Sequence, residues 1–282
     1  MSDEAPTLRE VLDVVEHLYP PEHAQSWDRV GLVTGDPDQP VRRVHLAVDP
    51  TLAVVEEARD LGADLLLTHH PLLLRGVHSV ATTSAKGATV TGLVVGDVAL
   101  YVAHTNADVA DEGVCEALAD ACGLGHTEPL LVVEGRPLGR VGELDATTTL
   151  RDFVEALVVH LPPTAGGVRV AGPPDAPVRS VAVLGGSGDD LFDAVRACGA
   201  DVYVTADLRH HPALEAREEA RDGTPYLVDA GHWASEHVWL ARAEGALRAG
   251  LGEAATRVET HISTVRTDPW TFVVGADEGG TP

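Results

Sequence analysis

The stretch HLAVDPTLAVVEEARDLGADLLLTHHP, residues 45–71, decides the fold of this chain. An apolar strand over 41–49 is followed by a helical pattern over 52–61 that ends at Gly62. A second apolar strand over 65–67 then runs into Thr-His-His-Pro. Because two strands joined by a helix at this spacing form a right-handed parallel unit, the stretch predicts a parallel sheet with helices packed on it.

The same pattern recurs 137 residues later. The shift aligns the Gly-Ala-Asp of residues 62–64 with the Gly-Ala-Asp of residues 199–201, and each copy continues with an apolar strand ending in threonine. This predicts an α/β fold of two similar three-layer domains related by an internal repeat, although two unrelated α/β units could also resemble each other by chance. We place the domains at 1–127 and 128–282, with a C-terminal tail able to pack back on the first, and interpret 128–142 as a connector.

The charge balance excludes several classes of partner. The net charge is −24, from 44 acidic and 20 basic residues, and such a surface repels nucleic-acid phosphates and anionic membranes. No apolar run approaches the roughly 20 residues that span a bilayer, and the N-terminus MSDEAPTLRE lacks signal-peptide features. We therefore expect a cytoplasmic protein that binds neither membrane nor nucleic acid.

Lysine and cysteine usage narrows the chemistry further. Lys86 is the only lysine, and its surroundings, SAKGAT, form neither a P-loop nor an apolar pocket for a Schiff base. Cys115, Cys122 and Cys198 are widely spaced and odd in number, which argues against disulfides and against a thiolate zinc site.

Polar side chains collect at four predicted strand ends, where parallel sheets gather their functional groups. The four ends are THHP at 68–71, HTNAD at 104–108, DLRHH at 207–211 and DAGH at 229–232. Pro71 forces a turn after the paired histidines, so both imidazoles can converge on one cavity. His232 and Glu236 stand four residues apart on a predicted helix and share its face. Asn106 is expected to bond the backbone and to shape the loop in which it lies.

Imidazoles together with carboxylates favour zinc, manganese, iron or cobalt over calcium, which prefers oxygen ligands. A lone buried histidine is more often a hydrogen-bonded core residue than a ligand. Three imidazoles and two carboxylates are too many for one open catalytic ion and suit two ions about 3.5–4 Å apart. The spacing alone indicates a metal site and leaves the number of ions open.

Two other interpretations concern the glycine-rich segment of the chain, which could be a phosphate-binding loop or the nucleophile motif of a serine hydrolase. The GGSG of residues 185–188 follows a strand, but it lacks the GxGxxG spacing, so a tight turn is the better interpretation. The same segment is not the GxSxG of a nucleophile elbow.

Several motifs resemble those of a known family, the NGG-one-interacting-factor-three-like proteins. Members of this family are also described as dinuclear-metal-centre hexameric proteins or type-two GTP cyclohydrolase I homologues. The matching motifs include SWDRVGL at 26–32, HHP at 69–71, HTNAD at 104–108 and GHWASE at 231–236. Matching segments run through nearly the whole chain in the family's order. Their spacing fits the short form of the family, which has no domain inserted between the halves.

The resemblance implies two divalent metal ions per subunit, Zn, Fe, Mn or Co, with Glu236 as a candidate bridge between them. The ligands that it implies are His69, His70, Asp108, His232 and Glu236. It places His104 beside the ions as a candidate catalytic group, and it implies a ring-like homohexamer whose metal sites face an internal cavity.

Two functions follow from these expectations. The first is a metal-dependent hydrolase of a small nucleotide-like or phosphorylated substrate, with GTP cyclohydrolase-type activity as one version. For a triphosphate, Arg75 and Arg209 are the nearest basic residues. The alternative is a non-enzymatic metal-binding scaffold or a regulatory interaction protein. A proton-transfer group at His104 favours the enzyme, since a scaffold has no use for one.

The second pair of histidines and an aspartate just before it are predicted not to be primary metal ligands. His210 stands five residues past Thr205, whereas His69 directly follows the corresponding threonine, and the neighbouring Arg209 disfavours a cation. The residues excluded in this way are Asp207, His210 and His211.

Overall fold

The protein is described by a computed structural model that covers residues 5–275. The first of its two sheets has the strand order β1-β4-β3-β2-β11. Its strands are β1 (Gly31–Thr34), β2 (Arg43–Ala47), β3 (Leu65–Thr68), β4 (Ala99–Val102) and β11 (Glu259–Ile262). The helices between them are α1 (Leu8–Leu18), α2 (Leu52–Asp60), α3 (Ala85–Val95), α4 (Thr105–Asp108) and α5 (Val114–Ala121), with α1 preceding β1 and α4 and α5 following β4.

The second sheet has the strand order β5-β6-β8-β9-β10-β7. Its strands are β5 (Thr127–Val133), β6 (Arg136–Thr149), β7 (Arg169–Ala171), β8 (Pro177–Ser187), β9 (Val202–Ala206) and β10 (Tyr226–Asp229). The remaining helices are α6 (Leu150–His160), α7 (Phe192–Cys198), α8 (His210–Ala220) and α9 (His232–Leu251), and two short 3-10 turns lie at Pro21–His23 and Gly252–Arg257.

The two sheets repeat one arrangement, as the sequence predicts. Three parallel strands lie side by side in chain order, β2-β3-β4 in the first sheet and β8-β9-β10 in the second. A short strand that precedes them in the chain pairs antiparallel with the third of them, β1 with β4 and β7 with β10. The prediction of an α/β fold built on an internal repeat is therefore confirmed.

The aspartate of each Gly-Ala-Asp explains why the tripeptide recurs. The Asp64 carboxylate accepts hydrogen bonds from the backbone N–H groups of residues 42–43, at 2.6 and 3.0 Å. Asp201 accepts the same pair of bonds from residues 179–180, at 2.9 Å each. Both aspartates therefore fix the backbone of the strand that lies beside their own, and the shift of 137 residues holds for donors and acceptors alike.

The first helix of each half begins in the same way. Thr7 caps α1 by accepting a hydrogen bond from the backbone of Glu10, and Thr149 caps α6 by accepting from Asp152. Each threonine is followed by Leu-Arg. The repeat thus extends to these helices. They are not separated by 137 residues, because the segments that connect them to the repeated strands differ in length.

The interpretation of residues 128–142 as a connector is wrong. They belong to the hairpin of β5 and β6, which forms one side of the second sheet. The turn holds Glu134 and Gly135, both with positive φ, as a tight hairpin requires. Residues 162–177, between α6 and β8, contain the short strand β7.

The described residues fall into two compact units. One comprises residues 5–117, 132–138 and 236–267, and the other comprises the rest. Strand β11 near the C-terminus is parallel to β2 in the first sheet. The domain boundary that the sequence places after residue 127 stays a prediction. None of the described helices is both long and apolar enough to cross a bilayer.

Candidate metal centre

His69 and His70 directly follow β3, which is buried along its whole length. Their backbone N–H groups continue the pairing with the neighbouring strand by donating to Ala47 and Val48, at 3.2 and 2.8 Å. The two imidazole rings lie side by side with their centroids 5.1 Å apart, and His69 is 1% exposed. The turn after the strand therefore brings both rings together instead of pointing them to opposite faces.

Glu236, in the first turns of α9, lies against both histidines. One carboxylate oxygen, Oε1, is 3.5 Å from Nε2 of His69, and the other, Oε2, is 3.0 Å from Nε2 of His70. Oδ1 of Asp108, at the end of α4, is 3.6 Å from the same Nε2 of His69. His232 is the first residue of α9 and stands one helical turn before Glu236, as the sequence predicts.

All four histidines of the predicted site use Nδ1 for a hydrogen bond to an oxygen atom. The pairs are His69 with the Ala103 carbonyl at 3.0 Å, His70 with Asp49 at 2.7 Å, His104 with Asp28 at 3.0 Å and His232 with Asp207 at 2.8 Å. A carbonyl can only accept, so Nδ1 of His69 carries a proton, and its Nε2 faces the carboxylates of Asp108 and Glu236. Such partners are typical of histidines that bind a metal through Nε2.

Nε2 of His69 and Oδ1 of Asp108 are buried and have no hydrogen-bond partner in the described part of the chain. A buried lone pair without a partner costs free energy, and native proteins keep few of them. His69, His70 and His104 each offer a ligand atom, and these atoms lie within 4.8 Å of one another. The cluster therefore has the donor atoms, the spacing and the unmet bonding capacity that suit a metal ion.

The electrostatics of the cluster also favour a cation. Burial tends to lower the pKa of His70, but Glu236 and Asp49 outweigh it and raise the pKa to about 11. Burial raises the pKa of Asp108, and His69 and His104 offset only part of that rise. Protons and a metal ion would thus compete for the same atoms, so metal affinity must fall as the pH is lowered.

The loop that carries His104 and Asp108 is shaped by Asn106, as the sequence predicts. Its Oδ1 accepts from the backbone N–H of His104 at 2.9 Å, and its Nδ2 donates to the Tyr19 carbonyl at 2.7 Å. The predicted turn takes the form of the single helical turn α4, which sets Asp108 four residues after His104.

Two carboxylates of the site escaped the sequence reasoning. Asp28 is buried and accepts from His104 and from both the backbone and the hydroxyl of Thr105, at 3.0, 3.0 and 2.6 Å. Burial tends to raise its pKa, but these hydrogen bonds lower it further than burial raises it. Asp49 ends the predicted strand 41–49, so its place at a strand end was the signal that could have identified it.

The other candidate residues are exposed or form an ion pair. His210 and His211 are exposed at the start of α8, and Arg209, a candidate triphosphate contact, pairs with Asp189. Arg75 is exposed in the loop after the paired histidines.

The glycine-rich segment at residues 185–188 does not form a free phosphate-binding loop. The N–H of Gly186 donates to the hydroxyl of Ser235 at 3.0 Å, so it is not available to a phosphate oxygen. Strand β8 continues through Ser187, so the helix does not follow directly on Gly186.

Comparison with known proteins gives consistent matches. The family model described as Duf34/NIF3 (NGG1p interacting factor 3) matches residues 6–269. The chain is 50% identical over 276 residues to a "GTP cyclohydrolase 1 type 2 homolog" of Streptomyces coelicolor, with 96% of each chain covered. It is 36% identical to a Mycobacterium tuberculosis protein of the same name, covering 93% of this chain and 96% of the relative.

Among solved structures, a Bacillus cereus protein related to NIF3 is similar to this chain with a TM-score of 0.86 and 26% identity, covering 96% of this chain and all of the other. A Staphylococcus aureus hypothetical protein has the same TM-score and 28% identity, with 96% of this chain and 100% of the other covered.

Proposed function

The chain belongs to the Duf34/NIF3 family, and from this membership and the geometry of the cluster we propose a dinuclear metal-dependent hydrolase of a small nucleotide-like or phosphorylated molecule. The observation that supports it best is the pair of buried atoms, Nε2 of His69 and Oδ1 of Asp108, that lack a hydrogen-bond partner in the described chain. The proposed ions are two of Zn, Fe, Mn or Co, held by His69, His70, Asp108, His232 and Glu236.

Glu236 is the proposed bridging ligand because its two oxygens face different histidines. Two such ions, when bound, would supply an acidified water near neutral pH and would polarise an oxygen of the substrate. Within the chain, Ala103 and Asp49 hold the rings of His69 and His70 so that each directs Nε2 towards Glu236.

His104 is the proposed proton-transfer group. Asp28 holds its Nδ1, which leaves Nε2 to take a proton from an attacking water or to give one to a leaving group. The indole of Trp27 meets the His104 ring edge-on, with centroids 5.9 Å apart, and is half-exposed. An exposed aromatic face beside the reacting groups suits a nucleobase, which binds by stacking.

The test of the proposal compares metal content and hydrolytic rate on one sample of His104→Ala, using GTP and then other nucleotides and phosphoesters. We expect unchanged metal content and a rate lowered about 10²-fold or more, the usual contribution of a positioned acid or base. His78→Ala, at an exposed histidine, is the matched control. Loss of metal from His104→Ala would make His104 a ligand, and equal rates would remove it from the mechanism.

A metal-binding scaffold is the second candidate, because the family's description names an interaction with NGG1p. Absence of activity on every nucleotide and phosphoester, in protein that retains its metal, would favour the scaffold over the hydrolase. We also propose that the chain acts in the cytoplasm as a homohexamer.

A further inference from the structure

A cavity of about 360 Å³ lies on the second sheet, between the edge strand β7, its neighbour β10 and helix α8. Ligand cavities in proteins commonly measure about 300–1,000 Å³. Six apolar side chains line this one, among them Val170, Leu214 and Leu227. Val170 and Leu214 are 45% and 47% exposed, so the mouth of the cavity presents apolar surface to solvent. None of the proposed metal ligands lines it.

Arg217 supplies an uncompensated positive charge to this cavity. Its Nη1 donates to the carbonyls of Gly223 and Pro225, both at 2.7 Å, and its guanidinium lies 5.3 Å from the centre of the Tyr226 ring. Carbonyls and an aromatic ring fix the group without cancelling its charge. Within the described chain, no carboxylate forms an ion pair with it.

The remaining polar lining is cationic or already neutralised. Arg169 pairs with Asp229, whose side chain is 7% exposed and which also accepts from the backbone N–H of Leu208. His210 also lines the cavity and adds no negative charge to it. The cavity is therefore electropositive in a chain whose net charge is −24.

We propose that this cavity binds a small organic anion with an apolar body. The apolar lining would remove the body from water, at roughly 25 cal/mol for each Å² buried, and Arg217 would receive the anionic group through charge-assisted hydrogen bonds. The site is separate from the metal centre in its residues and its chemistry, so it does not depend on the proposed hydrolase activity.

The first test measures binding to the full-length chain by isothermal titration calorimetry, with 1-octanesulfonate as the probe. A sulfonate is a poor metal ligand, so the signal does not report the metal centre. We expect saturable binding at one site per chain, and binding of octylammonium and of inorganic sulfate at least about tenfold weaker. A chain this acidic would otherwise favour the cation, so equal or tighter binding of octylammonium, or no binding of the sulfonate, would overturn the proposal.

The second test locates the site. Ala213→Trp fills the cavity from α8 and should weaken octanesulfonate binding at least about tenfold, which corresponds to 1.4 kcal/mol. Glu215→Trp, which adds the same side chain at an exposed position of that helix, should not weaken it. At the half-exposed mouth, Leu214→Glu should weaken binding more than Leu214→Gln does, without disturbing the fold. Unchanged affinity in both Ala213→Trp and Leu214→Glu would overturn the assignment.

Discussion

At the scale of single residues, the Nδ1 atom of His70 and the Oδ1 atom of Asp49 form a 2.7 Å contact that holds the imidazole ring. The other oxygen of Asp49 accepts from the hydroxyl of Thr267, so the carboxylate itself is fixed. Burial tends to raise the pKa of Asp49, but the hydrogen bond with His70 and its charge lower it overall, which keeps the group ionised. An ionised partner behind a ligand raises the basicity of the ligand and sets its orientation.

We therefore predict that Asp49→Asn weakens metal binding without abolishing it. The substitution keeps the shape and an acceptor oxygen but removes the charge, and loss of such a partner typically costs about 10–100-fold in metal affinity. Competition with a chromogenic chelator measures the Kd. Asp60→Asn, at an exposed position at the end of α2, is the control. Wild-type affinity in Asp49→Asn would show that the aspartate does not support a ligand.

The sequence predicted those site residues that a short sequence motif identifies. Paired histidines before a proline, and an asparagine inside a polar loop, carry their own signal. Asp28 carries no such signal, and the strand end that marks Asp49 does not reveal its partner, because the histidines that they contact stand 76 and 21 residues away in the chain. Only the fold brings these carboxylates to the imidazoles, so sequence spacing alone could not assign them.

At the scale of elements, Glu57 joins α2 to the chain segment that follows β11. Its carboxylate accepts from the hydroxyl of Ser263 and from the backbone and hydroxyl of Thr264, the latter two at 3.1 and 2.6 Å. It also meets Nε2 of His45, in β2, at 2.9 Å. Burial tends to raise the pKa of Glu57, but these hydrogen bonds and the charge of His45 lower it to about 2.

This lowered pKa predicts a pH-dependent contribution to stability. In the unfolded chain Glu57 takes up a proton near its ordinary pKa of 4.5, whereas in the folded chain it stays ionised to about 2. Its contribution is therefore complete above about pH 5 and is lost as the pH falls from there towards 2. At neutral pH we expect Glu57→Gln to lower the free energy of unfolding by about 1.5–3 kcal/mol, the range for a hydrogen bond to a charged group.

Urea unfolding of wild type and Glu57→Gln at matched pH values measures this effect. The difference between the two should shrink as the pH is lowered, and comparison at each pH removes the effect of any metal lost from both proteins. Glu56→Gln, at the exposed neighbouring position, is the control and should follow the wild type. A difference that stays constant from neutral to acid pH would contradict the role given to the ionised carboxylate.

The elements that the sequence predicted are those with continuous apolar runs or clear caps. Strand β3 is buried at all four positions and α2 follows the capping Thr51, and both elements were predicted. Strand β5 was not predicted although residues 130–133 form an apolar run, and most of its positions are exposed or half-buried.

At the scale of the whole molecule, the net charge of −24 opposes the proposed hexamer, because six chains of one sign repel one another. Salt screens this repulsion, with a Debye length of about 8 Å at physiological ionic strength. We therefore predict a mass six times the 29.6 kDa of the chain at physiological salt, and dissociation promoted by low salt. Light scattering coupled to gel filtration measures both. A single-chain mass at all salt concentrations would contradict the hexamer.

Elemental analysis of protein purified without chelator shows whether this cluster holds metal ions. Inductively coupled plasma mass spectrometry of the wild type should find up to two equivalents of a divalent transition metal per chain. His69→Ala and Glu236→Ala should each contain less, because each removes a proposed ligand that lies at the centre of the cluster. His78→Ala should match the wild type. Metal content equal to that of the wild type in both ligand variants would contradict the account.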